Sequence, residues 1–267
     1  MSDRYLTSKS FQLSIIKKQK ENIKYLEKEI PLDSYDSKGF DRLVSNWASL
    51  YYGLFFLDYF KLKKILCIDI GVYKGLYSSV YSRHFEKVHS FEASPYAYLH
   101  AKANFKRQQI PNITLHEIGL LDYNGTGTLY QKFNDNKKLY IRGTTSFDKD
   151  VYPTYNDPTS IIEVSVQTLD SFNLNPSFIK IDVEATELQV LKGAINTISK
   201  NLPFLQIETA VANKEKINKF LTKLGYCQLD LKSFNYIFKS IESIEDSYYI
   251  HKNTLKNVKQ NYKTNFM

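Results

Sequence analysis

A chain of 267 residues with 43% hydrophobic and 15% aromatic content carries enough apolar side chain to bury a full core, which excludes disordered and fibrous classes. The formal charge of +8 invites a polyanionic partner, but the arginines on which bidentate nucleic-acid readout leans are only Arg4, Arg42, Arg83, Arg107 and Arg142. The excess is read as solvated lysine surface, and a nucleic-acid partner is not expected.

The first ten residues, MSDRYLTSKS, lack the apolar core of a signal peptide. Phe11, Ile15, Ile16, Ile23, Leu26 and Ile30 then recur at three- and four-residue steps, so residues 10–60 read as helical. The longest apolar run, WASLYYGLFFLDYF at 47–60, falls short of the roughly 20 residues that span a bilayer and carries Asp58. No transmembrane segment is predicted, and residues 1–62 are expected to form an N-terminal helical arm. Two cysteines, Cys67 and Cys227, have no second cysteine at metal or redox spacing, which fits a reducing, cytoplasmic setting.

From Ile65 the pattern changes to short apolar strands separated by helix-like segments, the signature of a mostly parallel, doubly wound α/β sheet. Strands are predicted at 65–70, 87–92, 112–118, 178–183 and 203–208, with weaker ones at 126–131, 161–167, 226–231 and 235–239. Ser94-Pro95 predicts an N-cap followed by proline at the first helical position. Thr186-Glu187-Leu188-Gln189 predicts a capping box, followed by an apolar stripe of Leu188, Leu191, Ile195 and Ile198. Residues 131–160 are polar, rich in tyrosine and too long for an ordinary connection, as a surface loop or lid would be. The sheet domain is expected over 63–240 and a basic, solvated tail over 241–267, where Lys252, Lys256, Lys259 and Lys263 have no acid to balance them.

The first strand ends in CIDIGVYKG, residues 67–75. A P-loop is excluded because Lys74 precedes the second glycine and Leu76 follows it. A dinucleotide fingerprint is opposed by Tyr73, which stands where the middle glycine would admit a pyrophosphate. What remains is Asp69, a turn from Gly71 to Gly75, and Glu92 at the end of the next strand. Neighbouring parallel strands line one crevice at their carboxyl ends, so Glu92 is placed to bond both hydroxyls of a ribose. A nucleoside without phosphates and with a cationic substituent near Asp69, as in S-adenosylmethionine, suits this arrangement.

Six segments in order extend the pattern: IDIGVYKGLYS at 68–78, SFEASP at 90–95, NITLHEIGLLDYNGTGTLY at 112–130, VQTLDSF at 166–172, FIKIDVEATELQVLKGA at 178–194 and PFLQIE at 203–208. Together they resemble the FkbM family of S-adenosylmethionine-dependent methyltransferases, most specifically in IKIDVEATELQVLKGA. The resemblance implies a Rossmann-like class I methyltransferase fold with a final antiparallel strand near its edge, 226–231 and 235–239 forming the last pair. It implies S-adenosylmethionine held by Asp69, Gly71, Tyr73, Gly75, Ser78, Glu92, Ala93, Gly119, Leu120 and Asp182, with Asp122 as an adenine contact and Ser146 in a segment facing the acceptor. Where the family reads G-A-N-x-G this chain has Val72 and Tyr73, and Ala185 stands where the family has glycine.

Methyl transfer to a hydroxyl needs an aligned acceptor and help with its proton, and carboxylates at strand ends are suited to give it. Asp182, Glu184 and Glu187 are the catalytic candidates, with Glu208 closing the neighbouring strand; Glu187 in a first helical turn has an alternative structural role. A divalent metal held by such carboxylates is a minor alternative without an identified third ligand. No histidine commands a role; His116 lies nearest the expected adenosine edge. The expectation is an O-methyltransferase acting on a sugar or glycan hydroxyl or another small acceptor, with homo-oligomerisation left open. Its alternatives are a non-catalytic nucleoside-binding module in a larger assembly and a nucleic-acid methyltransferase, the latter lacking a motif suited to a flipped base.

Overall fold

The computed structural model describes residues 49–50, 52–132, 145–150, 159–209, 211–230 and 246–257. Contacts divide the chain into two units, residues 1–55 with 230–244 and residues 56–229 with 245–267. Described residues of the first unit are 49–50, 52–55 and 230, of which all but the last are helical. Most of the predicted arm and the whole of the strand predicted at 235–239 lie outside the described residues.

The second unit is built on a seven-stranded sheet. Its strands are β1 (Leu66–Ile70), β2 (Lys87–Glu92), β3 (Ile113–Glu117), β8 (Phe178–Ile181), β9 (Phe204–Glu208), β10 (Tyr226–Gln228) and β11 (Asp246–His251), in the order β10-β11-β9-β8-β1-β2-β3. β1, β8 and β9 are apolar almost throughout and buried on both faces, as strands covered by crossover helices must be. Pairing is parallel from β3 through β2, β1 and β8 to β9, and antiparallel where β11 inserts between β9 and β10. Chain order runs from β1 to β2 and β3 on one side and to β8 and β9 on the other. The order therefore reverses at the β1/β8 boundary, the place where open α/β sheets form a ligand crevice. This is the Rossmann-like methyltransferase sheet, with β11 as its antiparallel strand.

Two expectations need correction. Among the described residues the strand that pairs with β10 is β11, residues 246–251. Those residues, assigned to a solvated tail, are buried along their whole length; SYYI at 247–250 is an apolar run hidden behind the lysines that follow it. The predicted capping box also does not form. Thr186 makes no side-chain cap, and its hydroxyl donates back to the Val183 carbonyl at 3.2 Å. The apolar stripe is split between helices Glu187–Lys192 and Ile195–Asn201, leaving Ile195 exposed while Val190, Leu191, Ala194 and Ile198 enter the core. The other helix start holds: Ser94 Oγ accepts from the Ala97 N–H at 3.4 Å and Pro95 opens helix Pro95–Arg107.

A second sheet, ordered β4-β7-β5-β6, comprises β4 (Gly119–Leu120), β5 (Gly125–Lys132), β6 (Thr145–Ser146) and β7 (Thr159–Gln167). Leu121, Leu129, Val164 and Val166 form its core. Only 145–150 of the interval between β5 and β7 is described, and there Tyr130 pairs with Ser146. No helix among the described residues is long and apolar enough to cross a membrane.

Alternation gives the main sheet two unlike faces. Ile68, Ile179, Ile181, Leu205 and Ile207 enter the main core on one face. The other face changes along the strands: Phe178 and Phe204 come first, Asp69, Lys180 and Gln206 follow toward the crevice, and Tyr248 of β11 stands level with Gln206. Phe204 stacks on Phe178 at 6.1 Å and on Tyr248 at 6.4 Å, and Phe56 meets Tyr248 at 5.3 Å. Truncating this ring leaves a cavity in a sheet with no slack, so Tyr248→Ala is expected to cost about 3–5 kcal/mol in urea unfolding. A loss below about 1 kcal/mol would show that β11 is not integral to the sheet.

Candidate active site

Lys180 occupies the centre of β8, in register with Asp69 of β1 and Gln206 of β9. It is 1% exposed, so its ammonium is tolerated only with anions around it. Its Nζ donates to Asp182 Oδ2 at 2.7 Å and lies 4.2 Å from the centre of the Tyr77 ring. Burial pulls the Lys180 ammonium down, but Asp182, Asp69, Asp246 and Glu208 together hold it above the ordinary lysine value. Asp182 follows β8 directly, and its side chain is 25% exposed. Burial pushes Asp182 up, yet Lys180 and a hydrogen bond with Glu208 leave it below the usual carboxylate range. Glu208 is pushed up to about 11, first by the Asp182 charge and then by burial.

The remaining partners come from β9, β11 and the helix Leu76–Tyr81. Gln206 Nε2 donates to Asp246 Oδ2 at 2.9 Å, and its Oε1 accepts from the Tyr81 hydroxyl at 3.0 Å. Asp69 Oδ2 accepts from Ser78 Oγ at 2.5 Å, and Ser78 Oγ is 2.8 Å from Ser90 Oγ. Asp69 Oδ1 is buried without a hydrogen-bond partner among the described residues. Burial pushes the Asp69 carboxyl up.

Beside this row the turn from Gly71 to Gly75 grips Glu92. Tyr73, at φ +53°, donates its N–H to Glu92 Oε2 at 2.7 Å, and the Ser94 N–H donates to Oε1 at 2.9 Å. The glycines themselves are required by packing. A Cβ on Gly71 would lie 1.7 Å from the Asp182 carbonyl oxygen and one on Gly75 2.4 Å from the Phe105 ring, and both have φ near +85°. Backbone approach here is of β1's turn to β8, which brings Asp69 and Asp182 to one crevice.

The loop after β8 is strained and clamped. Glu184 and Ala185 have φ of +54° and +80°, a region that disfavours side chains. Ser146 Oγ donates to the Glu184 carbonyl at 2.6 Å, Asn213 Nδ2 to the Ala185 carbonyl at 3.1 Å, and the Ala185 N–H to Glu187 Oε1 at 2.9 Å. Glu187, expected among the catalytic groups, is thus a buried backbone clamp, although its Oε2 has no hydrogen-bond partner among the described residues. Ser146, expected to face the acceptor, supports the same loop.

Of the other expected residues, Ala93 packs against the core of the second sheet. Leu120 belongs to the main core, and a Cβ on Gly119 would strike the Phe147 ring at 2.4 Å. Asp122 is exposed. His116 stacks on Phe91 at 4.5 Å, and its Nε2 is 3.1 Å from His89 Nδ1. Burial pushes both imidazoles down. Among the described residues no group of three or more His, Cys, Asp or Glu is arranged to hold a metal ion. Sequence reasoning overlooked Lys180, Gln206, Asp246 and Tyr77. The available signal was a lysine and a glutamine at the same position of two strands, FIKI and FLQIE, whose other residues up to the terminal Glu208 are apolar.

The model of a family described as the Methyltransferase FkbM domain matches residues 69–227. Among solved structures, the methyltransferase FkbM from Methylobacillus flagellatus KT is 17% identical with a TM-score of 0.47, over 71% of this chain and 43% of that one. The chain therefore spans less than half the length of that relative. A precorrin-6y C5,15-methyltransferase from Geobacter metallireducens GS-15 is 14% identical with a TM-score of 0.39, over 71% of this chain and 80% of that one. An rRNA methylase from Streptococcus thermophilus is 12% identical with a TM-score of 0.42, over 74% and 94%. No curated protein matches the sequence.

The strain and burial have measurable consequences. Ala185→Gly is expected to stabilise by about 0.5–1 kcal/mol, the left-handed penalty of roughly 1–2 kcal/mol less the entropy glycine adds to the unfolded chain. Gly71→Ala is expected to cost about 3 kcal/mol or more, because its Cβ meets backbone. A destabilising Ala185→Gly in thermal unfolding would contradict the assigned backbone.

Burial pushes Glu92 from 4.5 to about 7, so the folded state holds a proton that the unfolded state has released. Its contribution to stability is complete below the unfolded value and is lost as pH rises through the folded one. Urea unfolding at pH 5 and 8 should show a loss of up to ~3 kcal/mol from this group, which Glu92→Gln removes. Equal slopes in the two proteins would rule that contribution out.

Proposed function

This chain belongs to the FkbM methyltransferase family, and from that premise we propose that it transfers methyl from S-adenosylmethionine to a hydroxyl of a sugar or glycan. The observation that carries the reading is Glu92, 7% exposed at the end of β2 and held by the Tyr73 and Ser94 amides. When Glu92 is ionised, each oxygen spends one lone pair on an amide and keeps another for a ribose hydroxyl. The unpartnered Asp69 Oδ1 and the Asp182 carboxylate add anionic character at the crevice, as a cationic nucleoside requires. The residues present fit such a cofactor.

In this reading Glu92 and the turn from Gly71 to Gly75 hold the nucleoside, with Ala93 following Glu92 and Ser78 acting through Asp69. Bound S-adenosylmethionine supplies an electrophilic methyl group on a positively charged sulfur. Asp182, a quarter exposed and ionised, accepts the proton of the acceptor hydroxyl. What supports a hydroxyl acceptor is this carboxylate at the strand end, together with the tendency of the family the sequence resembles. Glu184 presents its backbone in the strained loop beside Asp182, and Glu187 holds that loop in shape.

Titration calorimetry with S-adenosylmethionine and S-adenosylhomocysteine tests the cofactor. Both should bind, and Glu92→Ala should weaken both by about 10- to 100-fold, the loss of charge-assisted hydrogen bonds. A folded protein that binds neither compound contradicts the reading. Transfer of labelled methyl to carbohydrate fractions, with none to RNA or DNA, is expected for the acceptor; the reverse would assign a nucleic-acid substrate.

A further inference from the structure

We propose that Lys180, Asp182 and Glu208 form one proton-handling unit, in which Lys180 is a positioning residue that keeps Asp182 ionised and Glu208 supplies the proton the two carboxyls share. The inference rests on the hydroxyl-acceptor reading for its purpose, but its charge arrangement belongs to the free protein. Three geometric facts carry it. Lys180 Nζ is 2.7 Å from Asp182 Oδ2 and itself 1% exposed, so this ammonium cannot exchange its carboxylate for water. Ile181 and Ile207 are partners in the parallel register of β8 and β9, so Asp182 and Glu208, which follow them, stand side by side at adjacent strand ends. Asp182 alone of the Lys180–Asp182 pair has appreciable exposure, 25%, so it is the member an acceptor can reach.

Every charged or titratable neighbour bears on the balance. Lys180 from β8 favours the Asp182 charge, while Asp69 from β1, Glu92 from β2, Glu187 from the following helix and Asp246 from β11 place further carboxyls around the unit. Tyr77, under the ammonium, has its phenol pushed up by burial and stays neutral. Two carboxyls in contact cannot both ionise cheaply, and one ammonium balances one of them. The resting unit is therefore Lys180⁺, Asp182⁻ and a neutral Glu208. In the reaction the acceptor O–H bond breaks and its proton passes to Asp182. The acceptor oxygen bonds to the methyl carbon of a sulfonium donor, and the electron pair of the broken carbon–sulfur bond stays on sulfur. Glu208, already protonated, cannot compete for that proton and instead orients Asp182.

Carboxyl-¹³C NMR titration of the free full-length protein reads the charge state without turnover. One carboxyl signal should remain protonated above pH 8 and disappear in Glu208→Gln, with the Asp182 signal still ionised near pH 5. Lys180→Met should move the Asp182 titration up by about one pH unit or more, and Lys180→Arg should restore it. Once an acceptor is found, Lys180→Met should shift the acid limb of the kcat/KM profile up by the same amount, a loss that approaches tenfold on that limb and fades at neutral pH, with S-adenosylmethionine affinity within about threefold. The proposal is overturned if Glu208 ionises below pH 7 in the wild type, if the high-pH signal survives Glu208→Gln, or if folded Lys180→Met leaves the Asp182 titration in place. Should Lys180→Met fail to fold, the Glu208→Gln spectrum decides alone. A correct carboxyl titration with no methyl transfer to hydroxyls would leave the charge unit standing and refute the acceptor class instead.

Discussion

A single ammonium in the middle of a buried sheet dictates what surrounds it. Lys180 lies on the central strand next to the point where strand order reverses, and its neighbours on that face are Asp69 and Gln206. An unpaired charge there would cost several kcal/mol, so the face cannot be apolar along its whole length. Aromatic rings fill the half away from the crevice and acids fill the half beside it. This gradient is why the carboxylates gather at the strand ends instead of being scattered over the surface. Ion pairs of this kind are poor sources of net stability, because desolvation offsets most of the attraction. Their retention at the crevice is better explained by the charge state they impose on Asp182 than by folding energy.

The two loops that border the crevice hold it by different means. The turn from Gly71 to Gly75 depends on missing side chains: the Asp182 carbonyl and the Phe105 ring occupy the space a Cβ would take. The loop from Asp182 to Thr186 depends on added bonds, with Ser146, Asn213 and Glu187 each tying one of its backbone groups. Left-handed residues cost about 1–2 kcal/mol each, and here they turn the chain sharply after β8 so that Asp182 is left at the strand end. The second sheet reaches this loop through Ser146 of β6, whose hydroxyl donates to the Glu184 carbonyl.

Much of this was legible in the sequence wherever the signal is local. The strands, the Ser94-Pro95 helix start, Asp69, and Glu92 at the end of β2 all follow from apolar runs, turn residues and one acid at a strand terminus. What escaped depends on register. Lys180 and Gln206 become neighbours only when β8 and β9 are aligned, and Asp246 joins them only because β11 enters the sheet antiparallel beside β9. Lysines after residue 251 disguised that strand as the start of a tail. Thr186 makes no cap for a conformational reason: a left-handed Ala185 turns its N–H onto Glu187, and Thr186 bonds backward to Val183. Spacing cannot show a sign of φ.

The amide of Gln206 shows how β11, far along the chain from β1, takes part in the site. Its carbonyl oxygen faces the Tyr81 hydroxyl and its nitrogen faces Asp246. A donor on one side and a carboxylate on the other leave one orientation of the amide, since the flipped form would set acceptor against acceptor at Asp246. Gln206 therefore couples the helix after the glycine turn to β11, through β9 and directly beside Lys180. The Asp246 charge supports the ammonium of Lys180 and opposes ionisation of Glu208. Until β11 is in place Glu208 has one fewer reason to stay neutral and Gln206 has lost its fixed partner. Asp246 thus serves both the edge of the sheet and the charge balance at the crevice.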